Sequence, residues 1–307
     1  MPQPDQTLLW TLFLLFIGLM LALDLGVFHR KAHVPSFREA LTWTSVWATL
    51  AALFGGWIAW QFGATPCVEF FTGYLIELSL SADNVFVFVV IFGALHIPRD
   101  LQHRVLFWGV LTALVLRGVM IVGGAALIER WHWILYVFGA FLVFTGAKML
   151  RQPAHGVSPE DSRLLSFARR HLKVTGLHGS RFWVRVDGKL RATPLLLALL
   201  MVEVSDVVFA VDSIPAIFAV TRDPFLVFTA NVFAILGLRS LFFVLAGLVD
   251  KFRYLKVGLA VVLLFVGTKL LLLDTVKIPA LLSLGVVIGV LATAIVASLR
   301  ASAREAG

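Results

Sequence analysis

Acidic residues inside apolar stretches are the feature of this sequence with the clearest chemistry. The stretch Met201–Ala216 reads MVEVSDVVFAVDSIPA. Its acids, Glu203, Asp206 and Asp212, stand among residues that are otherwise as apolar as a membrane span. An ionised carboxylate at bilayer depth costs roughly 2.5–3.5 kcal/mol on insertion scales. Acids that persist there are therefore expected to pair with a cation or to bind one.

A second stretch, residues 77–88, reads ELSLSADNVFVF and repeats this arrangement. In both stretches an acid is followed six residues later by an aspartate and then by an amide or hydroxyl side chain. Six residues correspond to about 600° on an ideal helix, so the two acids of each pair point about 120° apart. The candidate metal ligands from the two stretches are Glu77, Asp83, Asn84, Asp206, Asp212 and Ser213.

Pro215 favours an interruption in the helix that carries the later stretch. Proline has no amide proton, so the carbonyl of Val211 would lose its hydrogen bond. An opened turn there would free carbonyl oxygens beside Asp212 to act as ligands. The earlier stretch contains no proline and is predicted to stay helical.

The elements that position these residues are predicted to be transmembrane helices. The chain has 307 residues, of which 60% are hydrophobic and 14% are charged, whereas soluble domains carry about 25% charged residues. Because apolar runs of about 20 residues recur along it, the chain is predicted to be an all-α polytopic membrane protein with one membrane domain over residues 1–307. The nine predicted spans are 8–27, 41–61, 68–93, 104–127, 131–150, 193–220, 225–249, 255–273 and 280–299.

The positions of the basic residues predict the orientation. When Arg104 and Lys256 at the starts of two spans are counted with the adjoining connections, 19 of the 26 Lys and Arg residues lie on one side of the predicted membrane, three lie on the other and four lie within spans. The positive-inside rule then puts the N-terminus outside and the C-terminus in the cytoplasm. The net charge of +8 reports this orientation, and no nucleic-acid partner is expected.

Residues 151–192 form the one sizeable hydrophilic segment, a basic cytoplasmic loop. Its sequence from Pro159 onwards predicts a helix lying on the lipid headgroups. The run FWVRV, Asp187-Gly188 and KLRA predicts a short β-hairpin with a type I′ turn. Two interpretations of the segment stay open, a solvated basic linker and a regulatory or partner-binding element.

An internal repeat relates two units of three spans each, residues 68–150 and 193–273. Each unit contains an acid pair, then an arginine in its second span, then a charged turn and a Gly-x-Lys sequence. The two arginines are Arg117 and Arg239, and the lysines follow them by 31 and 30 residues. Because three spans reverse the direction of the chain, the units are predicted to be inverted relative to each other, as in many transporters.

The balance of charge within the spans predicts a bound cation. Beyond the first two residues of each span, six acids and four bases lie there. Arg117 and Arg239 are interpreted as ion-pair partners of the acids or as gating residues, and two lysines near span ends can reach water. The surplus of carboxylate would be neutralised by a divalent cation or by protons, so exchange of protons against a metal is expected. Glu203 and Asp24 are further candidate acids for this site.

Ligand chemistry narrows the choice of metal. Carboxylate, amide, hydroxyl and carbonyl oxygens suit Mg2+, Ca2+ or Mn2+. The eight histidines fall in connections or at span ends, and Cys67 is the single cysteine. Zinc, copper and iron–sulfur sites and a disulfide framework are therefore not expected, and neither is a permanently bound cofactor.

The same residues are compatible with two other functions. A non-transporting membrane scaffold would use the acids and arginines only to hold helices together. An intramembrane aspartyl hydrolase would use paired aspartates to activate water, but no GxGD sequence accompanies either aspartate. The sequence also contains no GxxxxGK[ST] loop, so an ATPase within this chain is not expected. Neither of these enzyme classes is therefore favoured.

The quoted motifs resemble a known family. SLSADNVFVF, EVSDVVFAVDSIPAIFAVTRDPFLVFTANVFAILGLRSLFF and the opening LDLGVFHRKAH closely resemble sequences of the TerC/Alx family of bacterial integral membrane proteins, over nearly the whole chain. The resemblance implies two inverted three-helix repeats, as in the wider lysine-exporter superfamily, and a bacterial inner-membrane location. It places the family's acidic motifs on Glu77, Asp83 and Asn84, and on Asp206, Asp212 and Ser213.

For the Alx branch, which the N-terminal stretch resembles more, the family implies export of manganese. The TerC branch is named for tellurite resistance. The leading hypothesis is therefore a secondary transporter that exports divalent metal, Mn2+ in particular, from the cytoplasm in exchange for protons. Ca2+ and Mg2+ remain alternative ions. A scaffold or a component of tellurite or metal-stress resistance is the alternative function.

Overall fold

The computed structural model describes residues 6–23, 36–151, 175–177, 179–186, 188–245, 254–276 and 278–305. Two features predicted from the sequence lie outside these ranges. They are the interfacial helix after Pro159 and the candidate ligand Asp24.

Long helices occupy all nine of the predicted spans within the described part of the chain. Six of them are long and apolar enough to cross a membrane, judged by length and composition. This mostly helical fold is that of an integral membrane protein. The helices are α1 (Gln6–Leu23), α2 (Phe37–Phe62), α3 (Ala64–Ala94), α4 (Arg99–Arg130), α5 (Ile134–Arg151), α6 (Pro194–Phe218), α7 (Pro224–Leu245), α8 (Leu255–Leu271) and α9 (Ala280–Glu305).

Local sequence signals set the two ends of α2. At its start the side chain of Ser36 accepts a hydrogen bond of 3.2 Å from the backbone amide of Glu39, as a serine N-cap does. At its end Gly63 has a φ of 96°, which glycine adopts without a side-chain clash. The chain therefore turns at Gly63 and enters α3 at the next residue.

Helix α7 lies at the centre of the bundle, because 16 of its 22 residues are buried. Helix α3 packs against α2, α6, α7 and α9, and helix α4 packs against α6 and α7. Aromatic contacts attach α1, since the ring of Phe13 lies 5.4 Å from that of Phe54 and 5.8 Å from that of Phe225. The middle of the bundle is thus formed by α3, α4, α6 and α7.

Small residues bring α5 and α8 into backbone contact. A Cβ atom on Gly267 would lie 2.8 Å from the carbonyl oxygen of Gly139, and one on Gly146 would lie 2.9 Å from the carbonyl oxygen of Ala260. Glycines at a helix crossing permit this approach, which maximises van der Waals contact where lipid offers no hydrophobic driving force.

Helix α6 runs without interruption from Pro194 to Phe218, so the break expected at Pro215 is wrong. Proline withdraws one hydrogen bond from a helix, and here it stands only three residues before the helix ends. The backbone amide of Ala219 bonds to the carbonyl of Pro215 at 3.0 Å. The last turn therefore closes around the proline, and the carboxylates of α6 project from an intact helix.

A β-hairpin precedes α6, with strands β1 (Trp183–Val186) and β2 (Lys189–Ala192) paired antiparallel. Val186 lies opposite Lys189, so two residues connect the strands. The second of them, Gly188, has a φ of 73°, as a type I′ turn requires.

The hairpin is attached to the ends of two helices of the bundle. The hydroxyl of Thr193, just before α6, donates to the carbonyls of Arg181 at 2.7 Å and Phe182 at 3.1 Å. The guanidinium of Arg104, near the start of α4, lies 5.4 Å from the centre of the Phe182 ring. Helices α4 and α6 begin at the same end of the bundle, and we call this end the hairpin end.

Candidate ion site

A buried arginine joins the acids of the two motif stretches. Arg117 lies in the middle of α4 and is 1% exposed. Its Nε and Nη2 atoms donate to the two carboxylate oxygens of Asp206 on α6, at 3.0 and 2.7 Å. Its Nη1 atom donates to Oε1 of Glu77 on α3 and lies 3.5 Å from the hydroxyl of Ser213. One guanidinium therefore connects three helices at the centre of the bundle.

Helix packing explains why these residues meet. Helices α3 and α4 both pack against α6, so a side chain from each can reach the same space. Asp206 and Ser213 are seven residues apart, which places them on one face of α6. Arg117 forms a two-point fork with Asp206, the geometry in which guanidinium and carboxylate bind most strongly. We call Glu77, Arg117, Asp206 and Ser213 the Arg117 cluster.

The Arg117 cluster contains more negative than positive charge. When ionised, the Glu77 and Asp206 carboxylates carry two charges, and Arg117 neutralises one of them. Removing ions from water costs several kcal/mol each, which is recovered only with good pairing and further hydrogen bonds. Both carboxylate oxygens of Asp206 are paired with Arg117, whereas only one carboxylate oxygen of Glu77 is. The cluster can therefore accept a further positive charge, and Glu77 is the residue best placed to bind it.

Polar atoms without a partner lie on the same side of α3. Oε2 of Glu77 and both polar atoms of the Asn84 amide are buried and form no hydrogen bond with the described residues. Asn84 is 1% exposed and lies seven residues after Glu77, on the same face of the helix. An unsatisfied buried polar group costs about 1–3 kcal/mol. These oxygens are of the kind that bind Mg2+, Ca2+ or Mn2+, so the chemistry of the donor set fits such an ion.

Glu203 lies on the α4 side of α6, one turn before Asp206. Its two carboxylate oxygens are buried and accept no hydrogen bond from the described part of the chain. A Cβ atom on Gly109 would lie 3.7 Å from Oε1 of Glu203. Thr112 is close by, but its hydroxyl donates to the carbonyl of Trp108 at 2.7 Å. Glu203 thus adds a further acid beside the Arg117 cluster.

Asp212 does not bind Arg117. Its carboxylate accepts a hydrogen bond of 3.3 Å from the hydroxyl of Thr145 on α5. This direction agrees with the angle of about 120° expected between residues six apart on an intact helix. The two aspartates of α6 therefore face different neighbours, Asp206 towards α4 and Asp212 towards α5.

The other candidate residues are placed as follows. Asp83 lies within α3, but its side chain is not among those described, and Asp24 lies outside the described ranges. Arg239 lies on α7 in the wall of a cavity that also reaches Asp206. Within the described ranges, no group of three or more His, Cys, Asp or Glu residues is placed so as to hold a metal ion.

The sequence analysis did not single out two polar residues within the spans. Thr145 binds Asp212, and Asn231 on α7 is 1% exposed with its amide nitrogen unpaired among the described residues. Both are polar residues inside apolar spans. That signal is available in the sequence but is weaker than that of an acid, because threonine and asparagine carry no charge that demands a partner.

The fold and site define a class, a multi-span helical membrane protein with a buried cluster of opposite charges at its centre. The sequence of residues 62–306 matches the integral membrane protein TerC family. The chain belongs to this family, as the motifs indicated.

Close relatives cover nearly the whole chain. An uncharacterised membrane protein of Myxococcus xanthus, STKORF319, is 58% identical over 299 residues, which are 97% of this chain and 94% of the relative. The Alx proteins of Shigella flexneri and Escherichia coli K12 are each 49% identical over 294 residues, 92% of this chain and 92% of each relative. Both carry the name of a proposed membrane-bound redox modulator. No solved structure matches the chain.

Proposed function

We propose that this protein is a secondary transporter that exports divalent metal ions, Mn2+ in particular, across the bacterial inner membrane in exchange for protons. The Arg117 cluster carries this proposal. Two carboxylates from different helices converge there on one guanidinium, and Oε2 of Glu77 and the Asn84 amide, two turns further along α3, have no partner among the described residues. The ligand types suit Mn2+.

Arg117 acts in this proposal as a resident cation that exchanges with the metal. The guanidinium lies between Glu77 and Asp206, where the metal would bind, so it has to withdraw when the metal enters. Two carboxylates with Mn2+ are neutral, whereas two carboxylates with both Mn2+ and Arg117 would carry excess positive charge. Protonation of a carboxylate is the other route to neutrality, which couples metal release to proton uptake.

The predicted inverted repeat supports the proposal, because the contacts between α5 and α8 have the symmetry it requires. Gly139 meets Gly267, and Gly146 meets Ala260. A shift of 121 residues carries Gly139 onto Ala260 and Gly146 onto Gly267, so each contact becomes the other. Two repeats related by a pseudo-two-fold axis are expected to make contacts that interchange in this way. Transporters built from such repeats bind their substrate where the repeats meet.

The alternative function is a scaffold, within a metal-stress or tellurite-resistance system, and one observation favours it. Arg117 already pairs with both Glu77 and Asp206, which would suffice to hold α3, α4 and α6 together. The redox role named for the Alx relatives would need a group other than a dithiol here, because the 307 residues contain one cysteine.

Transport in proteoliposomes tests the proposal. Purified protein is reconstituted with a Mn2+-quenched fluorophore inside, and the quenching rate after addition of Mn2+ is measured with and without a pH gradient. Glu77→Gln and Asp206→Asn are expected to slow the protein-dependent rate by at least about tenfold, because even supporting groups of metal sites contribute that much. Asp83→Asn and Asp212→Asn test the remaining motif acids in the same assay.

Glu129→Gln is the matched control. It neutralises an exposed acid at the end of α4 and should transport as the wild type does. If the wild-type protein moves no Mn2+, Ca2+ or Mg2+, the transporter proposal is wrong and the scaffold is favoured. If it transports but Glu77→Gln and Asp206→Asn match the wild-type rate, the Arg117 cluster is not the site.

A further inference from the structure

Two cavities inside the bundle share one wall residue, Arg239. The outer cavity lies between α2, α4 and α7 and has polar groups in its wall, among them Glu39, His103 and Ser240. The inner cavity lies between α3, α4, α6 and α7 and reaches Asp206 of the Arg117 cluster. Arg239 lines both cavities. It is therefore the residue at which they adjoin.

The outer cavity lies towards the hairpin end of the bundle. Glu39 is in the first turn of α2, and His103 is in the second turn of α4, next to the Arg104 that holds the hairpin. Ser240 is near the end of α7. The two cavities together thus mark a line from the hairpin end, past Arg239, to the carboxylate of Asp206.

The walls on the two sides of Arg239 differ in chemistry. The outer cavity offers a carboxylate, an imidazole and a hydroxyl. The inner cavity is lined mainly by apolar side chains such as Leu106, Val110 and Ala113, with Asp206 its one acid among the lining residues. The outer cavity has room for about one or two water molecules and the inner cavity for about one at most. A hydrated ion cannot pass at these dimensions, so a side chain at the junction has to move.

We propose that Arg239 is the gate between the hairpin end of the bundle and the Arg117 cluster. An arginine has a long, flexible side chain, so it can close or open a narrow junction without a change in the helices. The guanidinium also places a positive charge on the path that a cation would take, and fields in narrow clefts change local ion concentrations by about 10- to 1,000-fold. That the gate admits a metal ion rests on the function proposed above. The existence of the gate can be tested separately.

Accessibility of engineered cysteines to Ag+ tests the gate without any transport assay. The full-length Cys67→Ser protein receives one new cysteine, at Ala113 in the inner cavity or at Ser240 in the outer cavity. Ag+ is applied to the protein in nanodiscs, and the thiols that remain are counted with a fluorescent maleimide after denaturation. The rate at which Ag+ protects the new thiol from the maleimide is compared between proteins that carry Arg239, Arg239→Ala or Arg239→Gln.

The gate predicts a selective change. Loss of the arginine should raise the protection rate at Ala113→Cys by at least about tenfold and leave that at Ser240→Cys within about twofold. Arg239→Gln removes the charge but keeps a shorter polar side chain, and serves if Arg239→Ala does not elute as folded protein. Equal rates at Ala113→Cys with and without Arg239 would overturn the proposal. Because no transport is measured, this result is independent of whether the protein carries Mn2+.

Discussion

At the scale of single residues, the chemistry of this protein depends on how the hydrogen bonds of one guanidinium are shared between two acids. Asp206 receives two hydrogen bonds from Arg117, and Glu77 receives one. Replacing one partner of a buried ion pair is costly because the other is left as an uncompensated charge. The arrangement therefore couples the position of Arg117 to the charge on α3 and α6. A metal that replaces the guanidinium would change both at once.

Arg117→Gln is expected to lower the free energy of unfolding by about 3–5 kcal/mol, since Glu77 and Asp206 would be left as buried unpaired charges. Arg117→Gln combined with Asp206→Asn should recover much of this loss. Thermal inactivation of the detergent-solubilised protein, followed by size-exclusion chromatography, measures the effect. Arg99→Gln, an exposed arginine at the start of α4, is the control. A single Arg117→Gln variant as stable as Arg99→Gln would contradict this account of the cluster.

At the scale of helices, the crossing of α5 and α8 depends on glycines. At Gly267 a Cβ atom would lie 2.8 Å from the carbonyl oxygen of Gly139 and 2.9 Å from both the Cβ of Leu142 and the backbone nitrogen of Val143. Two of these three are backbone atoms, which cannot rotate away as a side chain can. The helices must therefore separate if this position gains a side chain.

Gly267→Ala is expected to destabilise the protein by about 1–3 kcal/mol, the usual cost of overpacking. Gly285→Ala on α9 is the matched control, because a Cβ there has nothing within 4 Å. In that position alanine should be neutral or stabilising by up to about 1 kcal/mol, since glycine weakens a helix interior. Melting temperatures of the two variants in one detergent compare them. If the melting temperature of Gly267→Ala equals or exceeds that of Gly285→Ala, α5 and α8 are not in close backbone contact.

At the scale of the whole molecule, the predicted orientation has a structural counterpart at the hairpin end. The hairpin carries Arg185, Lys189 and Arg191 and is attached to the start of α4 through Arg104. These basic residues all belong to the side with the excess of Lys and Arg. The positive-inside rule assigns this side to the cytoplasm. The outer cavity beside Arg239 would then face the cytoplasm, where an exporter takes up its substrate.

Reporter fusions are expected to give opposite results at two points of the chain. A green fluorescent protein fused after Gly307 should fluoresce, and an alkaline phosphatase at that point should be inactive, since both report a cytoplasmic C-terminus. Alkaline phosphatase fused after Arg222, in the turn between α6 and α7, should be active outside. An odd number of spans with the N-terminus outside requires this pattern. Active phosphatase after Gly307 would reverse the orientation or change the number of spans.

Much of this protein can be derived from its sequence, because the relevant signals are local. A run of about 20 apolar residues predicts a helix wherever it falls, since a bilayer leaves no other way to satisfy the backbone. Acids inside such runs stand out for the cost of burying their charge. The repeated order of Glu77, Asp83 and Asn84, followed later by Asp206, Asp212 and Ser213, likewise needs no structure to be seen.

The tertiary structure decided which of these residues meet. The sequence offers Arg117 and Arg239 as equivalent arginines, yet the first joins Glu77 to Asp206 and the second lies between two cavities. The spacing predicts that the two aspartates of α6 point about 120° apart, but only the structure shows that Asp206 faces α4 and Asp212 faces α5. Spacing fixes the direction of a side chain only relative to its own helix. Its partner depends on which helices are neighbours and how each is rotated, and the packing of the whole bundle sets both.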